Sequence, residues 1–183
     1  MAVLLPPSLV HLAHLAAYNR WMNGKLYAAA ATLSPEALHG DMKAFFGSIH
    51  GTLNHLAVAD TLWLKRLARH PGRFQSLAFL NDISAPTALD QTLFPDFSAL
   101  AAHRARLDEA LVDFCAEVSE AQLGEPFEYT STKGVKSTKL LFGVLLHLFN
   151  HQAHHRGQAT TLFHQLGVDV GPTDFILLLP EVA

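Results

Sequence analysis

The sequence predicts an all-α domain: a four-helix bundle with a small hairpin inserted before its last long helix. Three observations carry this. Apolar residues recur at helical spacing over four stretches of more than about twenty residues, caps or breakers bound those stretches, and the period shortens to two in one place. The 183 residues suffice for one domain with its own core but not for two of full size, so 1–183 is read as a single unit.

The first helix is expected from Ser8, as N-cap, to Leu33, ending before Ser34-Pro35-Glu36, itself a cap-plus-proline start for a short helical turn. The second runs from Asp41 to Arg69 and stops at Pro71-Gly72. A polar, proline-containing stretch from Arg73 to Asp96 reads as a long loop. The third helix, Phe97 to Val118, carries Leu100, Leu107, Leu111 and Phe114 near the helical period. Phe127–Thr130 and Val135–Thr138 flank Ser131–Gly134 and read as the hairpin. The fourth helix runs from Thr138 to Leu166, with Gly167 beyond its end. In the tail, the apolar run Phe175–Leu179 is expected to pack on the bundle or on a partner.

Composition excludes several classes. Half of the residues are hydrophobic, which excludes a disordered chain. Lys plus Arg number 13 against 16 Asp plus Glu, and their scatter forms no basic stripe for nucleic acid. One cysteine, Cys115, excludes an internal disulfide framework and a Cys-rich zinc module. The N-terminus lacks a basic region, and Pro6-Pro7 interrupts its apolar run, so no signal peptide is expected. The longest apolar tract, Leu140–Phe149, contains His147 and is half the length of a membrane span. A soluble cytoplasmic chain, with no nucleic-acid or membrane partner, is the expectation.

Histidine is the outlier, at twelve residues. On the fourth helix, with His151 set to 0°, His155 lies at about +40°, His147 at about −40° and His154 at about −60°. Leu140, Val144, Leu148, Leu162 and Leu166 occupy the same sector as His151 and His155. Such an i, i+4 pair can put two nitrogens on one metal ion, and it can also be a hydrogen-bonded core pair. Spacing alone leaves both readings open. On the second helix His55 flanks the stripe of Phe45, Thr52, Leu56, Ala59, Trp63 and Leu67, which makes it the better third ligand. His50 points away and reads as solvated. His11 and His14 are fourth-ligand candidates that phase does not select.

The run His147-Leu-Phe-Asn-His-Gln-Ala-His-His-Arg-Gly-Gln158 resembles the last-helix signature of the DinB family, the DinB/YfiT-like metalloenzymes. So do Gly47-Ser-Ile-His-Gly-Thr-Leu-Asn-His55 with Asp60 and Trp63-Leu64, and Tyr18-Asn19-Arg20-Trp21-Met22-Asn23. Pro172-Thr173-Asp174 matches less specifically. The likeness spans the chain and is unrelated to the DNA polymerase of the same name. It implies a four-helix bundle, a homodimer, and a divalent metal held by His55, His151 and His155, with His154 as a neighbour.

Around these, Gln158 reads either as a hydrogen-bond partner of a ligand histidine or substrate, or as a half-buried polar residue. Asp60 could orient a histidine or Arg156, although a solvated helix charge is the plainer reading. Trp21 and Trp63 are core residues or the apolar wall of a cleft. Three imidazoles leave a coordination position free, as catalytic sites do; zinc or nickel heads the list of ions, and iron or manganese also fits. The resemblance implies transfer or isomerisation of a small-molecule substrate with a low-molecular-weight thiol such as bacillithiol, mycothiol or glutathione. Gln152 stands where a zinc protease would carry Glu, which argues against peptide hydrolysis by that route. The alternatives are a stress-associated protein whose metal staples the bundle, and a hydrolase acting on an easier bond.

Overall fold

Four long helices pack around one core in the computed structural model, which describes residues 6–181. They are α1 (Pro7–Ala30), α3 (Ile49–Leu67), α4 (Phe97–Glu117) and α6 (Leu141–Gln165); α2 (Pro35–His39) and α5 (Glu120–Leu123) are short. The α1 helix packs on α4 and α6, and α3 packs on α6 and α4, so the long helices close a ring. Leu12, Leu26, Leu53, Leu56, Leu107, Leu111, Leu148 and Phe163 fill its centre. Among the described residues no helix is long and apolar enough to cross a membrane.

Local chemistry sets most boundaries. Ser34, Ser48 and Asp96 accept hydrogen bonds from Ala37, Gly51 and Ala99 and so cap α2, α3 and α4. Ser119 and Gln122 form a reciprocal capping box on α5. Ser8 is not a cap: α1 begins at Pro7, whose missing N–H costs nothing in a first turn, and the Ser8 hydroxyl turns to Glu120. Ala30 rather than Leu33 ends that helix.

Three larger departures matter for the site. The second long helix starts at Ile49, eight residues later than expected. Residues 41–48 instead make a tight loop, with Lys43 and Gly47 at positive φ and a bridge between Ala44 and Gly47. Phe45, placed by periodicity in the buried stripe, is 88% exposed there. At the other end, Thr138–Leu140 belongs to a strand rather than to the last helix. Strand β1 (Pro126–Thr130) pairs antiparallel with β2 (Lys136–Leu140), Phe127 opposite Lys139 and Tyr129 opposite Ser137. Leu140 and Leu166, assigned to the buried face of the fourth helix, are therefore exposed at its ends, and Val135 falls in the turn. The Arg73–Asp96 segment contains a 3₁₀ helix, Gln75–Asp82, which buries Leu77 and Leu80. In the tail a 3₁₀ turn, Phe175–Leu178, rests Phe175 edge-on against Tyr18 and leaves Ile176 and Leu177 exposed.

A buried polar layer crosses the bundle. Asp60, expected to be solvated, is 1% exposed and accepts from Arg104 at 2.7 Å. Arg104 also reaches Asp108 at 2.9 Å, and Asp108 accepts from the amides of Asn19 and Asn23. Arg156 donates to Asn19 and to Gln152. Arg104 is matched by Asp60 and Asp108, and Arg156 is held by neutral amides, so each buried ion has hydrogen-bond partners, the condition under which buried ions are tolerated.

Candidate metal centre

Two helices supply three histidines to one point. His55 comes from the second turn of α3, and His151 and His155 lie on successive turns of α6. One ring nitrogen from each lies within 4.8 Å of the other two, and Nε2 of His55 is 3.3 Å from Nε2 of His151. Ring centroids are 4.4 Å apart for His151 and His155 and 4.6 Å for His55 and His155. His55 is buried, while His151 and His155 are half-buried.

Partners outside the cluster orient two of the rings. The carbonyl of Leu89 can only accept, so Nδ1 of His55 carries the proton at 2.8 Å and Nε2 presents a lone pair inward. With Oε1 of Gln158 turned toward it at 2.7 Å, Nδ1 of His155 donates, and its Nε2 is the acceptor. The other end of the Gln158 amide then donates to Nε2 of His154 at 3.2 Å. A proton on His151 could bridge to His55, but the nitrogen of His155 would still lack a donor. One cation satisfies all three lone pairs together, so the donor set fits a divalent metal.

Electrostatics point the same way. Burial depresses the pKa of His55 and His155, and burial together with the neighbouring histidines pulls His151 down to about 3. All three rings are therefore neutral at pH 7, the form that ligates. Phe46, from the 41–48 loop, stacks on His55 at 3.9 Å and meets His155 edgewise at 5.4 Å. It walls the centre on one side.

Other histidines lie apart. Among the described residues no fourth His, Cys, Asp or Glu joins the group, which leaves out His11 and His14. His154 is exposed and touches only the ring edge of His155 and Gln158. His50 is not solvated: α2 and the 85–95 segment cover the first turn of α3, and the ring is 5% exposed with His39 at 4.3 Å. Asp60 serves Arg104 rather than a histidine. Trp63 is half-buried between Tyr129 at 5.0 Å and His147 at 5.3 Å, while Trp21 lies beside Tyr18 and Lys25, away from the cluster. Phe46 and the Leu89 carbonyl were missed by sequence reasoning. Only the position of Phe46 beside the Gly47 motif could have signalled the first, and a backbone carbonyl in a loop carries no residue-type signal.

The DinB family model matches residues 8–181, almost the whole described chain. The chain belongs to the DinB family. Protein DinB of Bacillus subtilis (strain 168) is 27% identical over 163 residues, which cover 88% of this chain and 90% of that protein. No solved structure matches significantly. Two of the DinB-like motifs turn out to be structural in this member. Asn19 and Asn23 hold Asp108, and Tyr18 donates to the carbonyl of Thr173 at 2.7 Å, tying the tail to α1.

Proposed function

We propose that this DinB-family protein is a metal-dependent enzyme that uses an open position on a His55–His151–His155 site, with zinc or nickel as the ion. Its reaction class is transfer or isomerisation with a low-molecular-weight thiol. One observation carries the reading: acceptor nitrogens converge within 4.8 Å, with the outward protons of His55 and His155 already committed to Leu89 and Gln158. When bound, a divalent ion supplies Lewis acidity, which lowers the pKa of a water or thiol that reaches it. Around it, Leu89 and Gln158 fix the rings of His55 and His155 in the ligating tautomer, and Phe46 excludes water from one face. The half-buried side of His151 and His155 is the approach for a small substrate. With no carboxylate in the group to act as base, a thiol activated by the ion suits the site better than a base-assisted hydrolysis.

The test begins with metal content. Alanine at His55, His151 or His155 should remove most of the metal, while His50→Ala and His154→Ala retain it; elemental analysis of the five proteins reads this directly. Full retention in His151→Ala would overturn the ligand set. Glutathione, bacillithiol and mycothiol are then titrated into cobalt-substituted protein. One of them should give an intense near-ultraviolet sulfur-to-cobalt band. Absence of the band with all three, in protein that holds cobalt, rejects the thiol chemistry and favours a stapling ion or a hydrolase.

A further inference from the structure

Three cations without a carboxylate partner face a single cleft. The cleft, about 1110 Å³, lies between the C-terminal half of α3, the hairpin and the segment around Pro86. Arg66 reaches its wall from α3, Arg69 from the turn that follows α3, and Lys136 from β2. Among the described residues none of the three lies within ion-pair distance of an acid. Lys65, also on the wall, is occupied by the carbonyls of Leu80 and Ile83. Glu128 is the acid on the wall, and Glu125 lies nearby at 3.7 Å from His70. This concentration of positive charge occurs in a chain whose net charge is −3. Like charges gathered on one concave wall repel each other and focus an attractive field for anions.

Arg66 is held in a way that suits a ligand. Its guanidinium lies over the ring of Trp63 at 4.6 Å and near that of Tyr129 at 5.5 Å. Stacking fixes the plane of the fork and leaves its N–H edge free for a bidentate acceptor. Arg69 is three residues on, in the turn that follows α3, and Ser137 and Thr138 of β2 also line the cleft.

We propose that this cleft binds a small polyanion, a molecule with two or more carboxylate or phosphate groups, through Arg66, Arg69 and Lys136. The volume is of the order found for small-molecule sites. The site is distinct from the histidine cluster: Arg66 lies about 16 Å along α3 from His55, so the proposal stands without the metal.

Isothermal titration calorimetry on the full chain tests it, with citrate and pyrophosphate as separate probes at low salt. At least one should bind with a millimolar or better Kd that weakens as salt rises. A preference for citrate assigns the natural ligand to carboxylates, and a preference for pyrophosphate assigns it to phosphates. Arg66→Gln and Arg69→Gln should each weaken binding about tenfold or more, the loss expected for one charge-assisted contact. Arg69 is exposed, so its variant folds even where Arg66→Gln does not. Arg106→Gln, an exposed cation stacked on Phe79 outside the cleft, should leave Kd unchanged, and so should His151→Ala. No heat with either anion, or equal weakening by Arg106→Gln, would overturn the proposal. Loss of binding in His151→Ala would do the same by moving the anion to the histidine site.

Discussion

Replacing Arg104 by Met should destabilise the bundle severely, because it strands two carboxylates in the core. Asp60, Arg104 and Asp108 are 1%, 1% and 3% exposed, and the guanidinium reaches both acids, at 2.7 and 2.9 Å. With Arg156 the cluster is two cations against two anions; without Arg104 it carries a net buried negative charge. Breaking a buried pair by removing one partner costs about 3–5 kcal/mol. For a chain of this size each kcal/mol shifts Tm by about 2–4 °C, so a fall of roughly 6–20 °C is expected. The pH dependence identifies the cause. Burial already raises Asp108 to about 6 with Arg104 present, above the unfolded value of about 3.9, and losing the cation raises it further. The folded variant then binds protons that the unfolded chain releases, so its deficit is largest near pH 8 and shrinks toward pH 5. Thermal melts in chelator, monitored by circular dichroism, separate this from metal loss. The triple variant Arg104→Met/Asp60→Asn/Asp108→Asn should recover part of the stability, since neither acid is left as a buried unpaired charge, while Arg156 keeps its amide partners Asn19 and Gln152. A Tm fall under about 3 °C, or a triple variant no better than the single one, would refute the reasoning.

Gln158→Leu should weaken metal affinity about 10–100-fold by releasing Nδ1 of His155 while leaving all three ligands in place; competition against a chelator of known affinity measures it. His103, buried and bonded to Thr61 at 2.8 Å, has its pKa drawn down to about 4 by burial and then by Arg104 and Arg106. The unfolded chain takes up that proton near pH 6.5, so stability is full above pH 6.5 and declines as pH falls toward 4. Urea melts at pH 7 and pH 5 should show a smaller loss in His103→Phe than in the parent. We propose a homodimer that covers Ile176 and Leu177, which are 69% and 58% exposed on the tail. Light scattering should give about twice the 20.0 kDa chain mass, and Ile176→Lys with Leu177→Lys should halve it.

The bundle, the Ser34 cap and the α6 histidine pair were legible because they depend on spacing within one helix. A 100° step puts His151 and His155 on one face whatever surrounds them, and Ser34 caps a helix through its own next turn. His55 could be favoured over His50 for the same reason. The family-like motifs extended this to a three-histidine set, which the packing of α3 on α6 brings within 4.8 Å.

Phase names a side of a helix but not what covers it, and there the sequence stopped. His50 is buried because α2 folds over it, and Asp60 because α4 offers Arg104 across the bundle. Phe45 kept the helical period without being helical, since Lys43 and Gly47 at positive φ turn the chain into the loop that seats Phe46 on His55. The Leu89 carbonyl that orients His55 comes from a segment 34 residues away, with no side chain to announce it. Local interactions determined the helices and the candidate ligands. Long-range packing decided their tautomers, their walls and the ion pairs, because those depend on which surfaces meet.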